Sequence, residues 1–255
     1  MPVLVAHEWH SYSCEHPLEK RYFKEVVVGI ALITGANKGI GFETARQLVD
    51  LGHVVYLGAR NVVRGADAAT AIGARHVQLD VTDDDSVAQA LRTIADAETR
   101  LDILVNNAGV QEFDSADGPL AMRAFDTNAV GVVRVTEAAL PLLRKSAQAT
   151  VVTVSSSAGS FWAVTNPARP EFHLTNAVYA ASKAAATMLT LQYAKANPQM
   201  RINAIEPGYT ATDMTAGFEG GRPVQDSARA VVRLATLGAA GPTGTLRDEA
   251  GELSW

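Results

Sequence analysis

Ile30-Ala31-Leu32-Ile33-Thr34-Gly35-Ala36-Asn37-Lys38-Gly39-Ile40-Gly41 passes from a short apolar run through a glycine-rich turn into a segment with helical apolar spacing at Ile40, Ala45, Leu48 and Val49. A buried strand, a tight turn and a helix in direct succession form the first half of a βαβ unit. Glycine permits positive φ and lets the backbone come close to a ligand. The free N–H groups at the start of the helix then face an anion, and a pyrophosphate suits them. The spacing G-x-x-x-G-x-G is neither the G-x-G-x-x-G dinucleotide fingerprint nor the Gly-Lys-Ser/Thr ending of a P-loop. Its place at the head of a βαβ unit makes Thr34, Gly35, Asn37, Lys38, Gly39, Ile40 and Gly41 candidates for cradling a nucleotide.

Outward from this turn, apolar β-rich runs alternate with helical patterns. Strands are predicted at Ile30–Ile33, His53–Leu57, His76–Leu79, Ile103–Val105, Val151–Ser155 and Ile202–Ile205, with a short last one at Thr245–Leu246. Helices are predicted at Ile40–Leu51, near Gly65–Ile72, and at Ser86–Ala97, Ala121–Leu143, Ala177–Ala196 and Pro223–Leu237. The alternation implies an α/β fold, a doubly wound parallel sheet with helices on both faces. No repeat, low-complexity tract or linker divides residues 29–255, which read as one domain.

Composition narrows the partners. The chain has 255 residues, 47% hydrophobic and 19% charged, with a formal net charge of −5. That balance suits a globular protein and disfavours nucleic acid or an anionic membrane as partner. No apolar run approaches the length of a membrane span. The single cysteine, Cys14, fits a reducing cytoplasm. Residues 1–28 differ from the rest and read as a poorly ordered N-terminal extension. Their His7, His10, Cys14 and His16 include zinc-type ligands, but the segment has too little apolar surface to hold them rigidly, and no metal is expected.

Two further features carry chemistry. An NAD-preferring site places a carboxylate at the end of the second strand for the ribose 2′-hydroxyl. Here the strand ends Leu57-Gly58-Ala59-Arg60. Arg60 and Lys38 would instead pair with a 2′-phosphate, which favours NADPH over NADH. Farther on, Tyr179-Ala180-Ala181-Ser182-Lys183 sets a phenol and an ammonium one helical turn apart on a shared face. A Lys⁺ beside a phenol favours the phenolate, so Tyr179 is a candidate general acid/base with Lys183 as its activator. The pair alone is common on helices; the rest of the chain gives it weight.

The motifs together resemble the short-chain dehydrogenase/reductase family over essentially all of residues 29–255. Thr34–Gly41 matches its TGxxxGxG turn, and Asp80-Val81 its acidic pair after the third strand. Asn106-Asn107-Ala108-Gly109 matches its NNAG motif and Asn128 its helix asparagine. Ser155-Ser156-Ser157-Ala158-Gly159 matches its serine strand end, Tyr179-x-x-x-Lys183 its signature, and Pro207-Gly208-Tyr209-Thr210 with Thr212 its nicotinamide loop. The resemblance is greatest to carbonyl-reductase-like members. It implies a Rossmann-type catalytic domain over 29–255 that binds NAD(P). Asp80, Val81, Asn107, Ala108, Gly109, Pro207, Gly208, Thr210 and Thr212 would join the turn, Arg60, Tyr179 and Lys183 around the cofactor.

The resemblance also implies a mechanism. A hydride passes to a carbonyl carbon, Tyr179 gives the proton, and Ser156 polarises the carbonyl. Lys183 lowers the Tyr179 pKa and binds the ribose, and Asn128 holds a water that resupplies the proton. Strand alternation turns Ser155 and Ser157 away from Ser156, towards backbone groups. The Ser156–Tyr179 interval is longer than the family's usual one. Its Phe161, Trp162 and Phe172 suggest an aromatic lid, with Trp162 joining Ser156 and Tyr179 around a small carbonyl substrate. A ketoacyl-type reductase, an alcohol dehydrogenase and a non-catalytic NADP sensor are the alternatives. Monomer and homo-oligomer both stay open.

Overall fold

The computed structural model describes residues 28–111, 117–217 and 219–255. The N-terminal extension, with its histidines and Cys14, lies outside them. Seven strands form one all-parallel sheet: β1 (Ile30–Ile33), β2 (Val54–Ala59), β3 (Arg75–Gln78), β4 (Ile103–Asn106), β5 (Thr150–Val154), β6 (Arg201–Ile205) and β7 (Leu246–Arg247). Their order is β3-β2-β1-β4-β5-β6-β7. The chain builds outward from β1 to β3, then returns to lay β4 against the other side of β1. Strand order therefore reverses between β1 and β4, and the crevice at their carboxyl ends is where such sheets bind ligands.

The central strands β1, β4 and β5 are buried on both faces, as a parallel sheet covered by helices requires, while the edge strand β3 is largely open. Alternation sorts their side chains. Leu32, Leu104, Val151 and Ile202 pack with α3 (Asp84–Ala97), α5 (Gly131–Leu143) and α7 (Ala177–Ala196) through Leu91, Ile94, Val135 and Ala194. Ala31, Ile33, Val105 and Val152 face the other way, against α1 (Gly39–Asp50), α2 (Val62–Ile72) and α8 (Val224–Ala235) through Leu48, Ala69 and Val231. Asp83 caps α3, its carboxylate accepting from the Asp85 and Ser86 N–H groups.

One helix departs from expectation. Ala121–Leu143 is not continuous: α4 (Gly118–Phe125) ends in a π turn over Asp126–Val130 before α5 begins. Local contacts hold the wider turn. Arg134 bridges it to Asp126 at 2.7 Å and reaches back to the Val81 carbonyl at 3.2 Å. Gly131 lies so close to Val81 that a Cβ there would stand 2.9 Å from Val81 Cγ2. The segment Phe161–Ala177 is also more ordered than a plain loop, with a short helix α6 (Phe161–Thr165) and a 3-10 turn at Pro170–His173.

Where β1 and β4 part, Thr34 holds their ends in register. Its N–H donates to the Val105 carbonyl at 3.0 Å. Its hydroxyl oxygen accepts from Asn107 N–H at 3.0 Å and Ala108 N–H at 2.9 Å. The Asn107 amide returns the bond to the Thr34 carbonyl at 2.8 Å. Thr34→Val keeps the shape and strands both donors, at a cost of about 1–3 kcal/mol. Urea titration should show a lower midpoint with an unchanged slope.

Candidate active site

A cleft of about 1540 Å³ opens along the carboxyl ends of the strands. At one end is the glycine turn. Gly35 has φ +62, and a Cβ on it would lie 2.9 Å from Ala108 Cα, so no larger residue lets the turn seat against β4. Lys38 caps α1 in an extended conformation and gives no side-chain hydrogen bond to the helix start. The first N–H groups of α1 are thus presented to the cleft, where a phosphate fits them.

The expected cofactor residues Gly35, Asn37, Lys38, Gly39, Ile40, Gly41, Arg60, Asp80, Val81, Asn107, Ala108, Gly109, Pro207, Gly208, Thr210 and Thr212 all line this cleft, with Ser156, Tyr179 and Lys183. Three expected site residues do not. Thr34 is buried and occupied with the β4 backbone. Asn128 is buried behind the wall: its Oδ1 accepts from Val110 N–H, and its amide donates to the Val110 carbonyl and Ser182 Oγ. Trp162 is turned aside. Its backbone N–H donates to the Trp255 carbonyl at 2.8 Å, and its ring carries the Arg169 guanidinium at 5.7 Å.

The aromatic lid is therefore not built from Phe161, Trp162 and Phe172, none of which lines the cleft. Ser160 fixes the start of α6 to the Ser254 carbonyl at 2.7 Å and keeps that face outside. Exposed Leu174, Tyr209 and Met214 line the cleft instead. Lys38 also differs from expectation: its ammonium pairs with Asp213 at 2.9 Å, on the loop after β6. Among the described residues no ion pair engages Arg60.

The three serines separate by role. Ser156 faces the cleft beside Tyr179, its hydroxyl oxygen accepting from Ala158 N–H at 3.2 Å. Ser155 is buried, its hydroxyl donating to the Lys183 carbonyl and accepting from the Thr187 hydroxyl at 2.6 Å. Ser157, expected to serve backbone groups, gives its backbone N–H to the Glu206 carboxylate at 2.6 Å, and its side chain pulls the Glu171 and Glu206 carboxyls downward. Directly beyond, Gly159 touches α7: a Cβ there would lie 2.6 Å from Ala184 N and 2.7 Å from Lys183 C.

Lys183 Nζ donates to the Val154 carbonyl at 2.8 Å and stands 5.8 Å from the centre of the Tyr179 ring. Burial pulls the ammonium down to about 8, opposed by the nearby Glu206 charge. Tyr179 goes the opposite way from expectation. Burial and then Glu206 push its phenol up to about 12, and the Ser156 side chain only partly offsets them. The ammonium is turned to a backbone carbonyl, so Lys183 does not dominate the phenol. Tyr179 therefore stands as a neutral phenol at neutral pH, the form that can give a proton. Glu206 was not among the expected site residues, although a lone carboxylate closing the strand Arg201–Ile205, just before Pro207-Gly208, is visible in the sequence.

A doubly wound parallel sheet with a glycine turn at its switch point is the architecture of nucleotide-binding α/β proteins. The family model for short chain dehydrogenase matches residues 29–222, and the chain belongs to that family of oxidoreductases, which use nicotinamide cofactors. It is 34% identical to (-)-isopiperitenone reductase of Mentha piperita, over 86% of this chain and 96% of that protein. It is 33% identical to the short-chain dehydrogenase/reductase ATR10 of Stachybotrys chlorohalonatus, over 89% of each. The NADPH-bound carbonyl reductase from chicken fatty liver superposes with a TM-score of 0.81 at 25% identity, covering 89% of this chain and 99% of that one. Among the described residues no helix is long and apolar enough to cross a membrane, and no cluster of His, Cys, Asp and Glu could hold a metal ion.

Gly159→Val would force backbone apart from backbone at Lys183. It should lower stability by about 1–3 kcal/mol, read as a drop in melting temperature.

Proposed function

We propose that this chain reduces the carbonyl group of a small, largely apolar aldehyde or ketone, using NADPH. The observation that carries the reading is that Ser156, Tyr179 and Lys183 converge on the same cleft as the glycine turn, with Tyr179 held as a neutral phenol. The residues fit the cofactor: the close seating of Gly35 on Ala108 and the uncapped start of α1 suit a pyrophosphate, and exposed Arg60 is a cation left for a 2′-phosphate. When bound, NADPH supplies the hydride.

The chain's own residues do the rest. Ser156 and Tyr179 present two O–H donors to the carbonyl oxygen, where negative charge develops. Tyr179 gives its proton to that oxygen, and Lys183 stabilises the phenolate left behind. Asn128 Oδ1 and Lys183 Nζ border the same Gly109, at 3.3 and 3.4 Å from the position of a Cβ there. The one acceptor site left on Asn128 Oδ1 orders the water that returns a proton to Lys183. Val110, Leu120, Leu174, Tyr209 and Met214 supply the apolar wall for the substrate.

The direct test is loss of NADPH absorbance with a panel of quinones, aldehydes and ketones. Turnover supports the reading. Tight NADPH binding with no turnover across the panel overturns it in favour of a non-catalytic sensor. Tyr179→Phe should keep NADPH binding and lose roughly 10²-fold or more in kcat. Retention of a tenth of the rate would remove Tyr179 from the mechanism.

Arg60→Asp should raise KM for NADPH roughly 10-fold or more and leave KM for NADH nearly unchanged; equal effects would argue against a 2′-phosphate contact. The pH profile follows from Lys183. Its ammonium is present below about 8 and lost above it. Reductive kcat/KM should hold below that pH and fall as pH rises through it.

A further inference from the structure

The cleft contains a half-buried carboxylate that this mechanism does not use. Glu206 follows β6 and accepts two short hydrogen bonds: Ser157 N–H on one oxygen and Gly208 N–H on the other, each at 2.6 Å. The first donor is next to Ser156, in the turn after β5. The second is in the Pro207-Gly208 turn after β6. One side chain thus ties together the two turns that meet at the reacting end of the cleft. Bonds this short are characteristic of an ionised acceptor.

We propose that Glu206 is a positioning residue for the proton donor, fixing the Ser156 turn to the Pro207-Gly208 turn and holding a negative charge against the Tyr179–Lys183 pair. The proposal rests on the reading of Tyr179 as the acid. With Glu206 ionised the phenol keeps its proton until it is needed, and Lys183 keeps its charge although it is buried. A neutral residue in the same place would loosen both protons.

The groups around Glu206 bear on its charge. Tyr179 and Lys183 of α7 line the same cleft and feel its charge. From the 3-10 turn Glu206 feels the charge of Glu171, which is clamped by Arg169 through two hydrogen bonds of 2.9 and 3.0 Å. Arg222 packs on Gly208 and pairs with Glu249 at 2.7 Å, and the Arg247 carbonyl accepts the Glu206 N–H while its side chain faces Glu252. Burial raises the Glu206 carboxyl above the usual range. The Ser157 and Gly208 N–H groups oppose that rise, and the Glu171 charge adds to it. For Glu171 burial also raises the carboxyl, but Ser157 and Arg169 outweigh it and hold the group low. The two carboxyls are thereby pushed apart: Glu171 stays ionised, and Glu206 is the one whose charge responds to its surroundings.

The test reads Tyr179 directly, so it does not depend on turnover. Tyrosinate absorbance is followed in rapid pH jumps on wild type, Glu206→Gln and Glu206→Asp, each against the same protein carrying Tyr179→Phe. Glu206→Gln should lower the Tyr179 midpoint by about one pH unit or more, while Glu206→Asp, which keeps the charge, should leave it high. If a carbonyl substrate is turned over, the alkaline fall of kcat/KM should move down in Glu206→Gln alone. An unmoved midpoint in folded Glu206→Gln overturns the proposal. So does an equal fall in both variants, because Glu206→Asp keeps the charge that should hold the midpoint. Glu206→Ser replaces Glu206→Gln if the latter does not fold. A wild type that reduces no carbonyl compound refutes the function and leaves this titration readable.

Discussion

Everything at the cleft depends on how β1 and β4 separate. Two parallel strands that part at their carboxyl ends expose backbone N–H groups that the sheet no longer serves. Thr34 takes up two of them, from Asn107 and Ala108, and Asn107 closes the loop onto the Thr34 carbonyl. The exchange sets where the glycine turn stands relative to Gly109, and so where a nucleotide would lie relative to Lys183. It is made by one hydroxyl and one amide, both neutral. Their geometry is insensitive to pH, while the groups they position are not.

Charge is then arranged with little water nearby. Lys183 is an ammonium at the end of a buried stem, held by a backbone carbonyl. Such a group keeps its proton only as well as its neighbours allow. Tyr179 is pressed towards its neutral form by the same burial. The two side chains, one helical turn apart on α7, thus respond in opposite directions to one environment, and a carboxylate nearby favours the charged lysine and the neutral phenol together.

Much of this was legible in the sequence, for identifiable reasons. The glycine turn, Asp80-Val81 and Asn107-Ala108-Gly109 sit at strand ends, where the period of the chain itself decides which way they point. They reach the cleft as expected, as do Ser156, Tyr179 and Lys183. Thr34 was misplaced because a hydroxyl beside a phosphate turn and a hydroxyl serving a neighbouring strand have the same local sequence. Trp162 lies off the cleft because α6 is anchored to the Ser254 and Trp255 carbonyls, far away along the chain. The direction of the Tyr179 shift was misread because helical spacing reports that two side chains share a face, not whether one of them turns to Val154. Glu206 is readable in principle: a carboxylate directly after a buried strand end is a local inconsistency of the kind that accompanies function.

The π turn at Asp126–Val130 has an evolutionary corollary. A π turn is an α-helix with one residue added, and removing that residue would rotate everything on one side of it by about 100° about the axis. Asn128 would leave Val110 and Ser182, and Arg134 would no longer span to Asp126. The segment can drift by substitution, but a single-residue deletion there cannot be absorbed gradually. Length variation among descendants of this chain should therefore spare 126–130 and accumulate where the backbone has no such phase to keep.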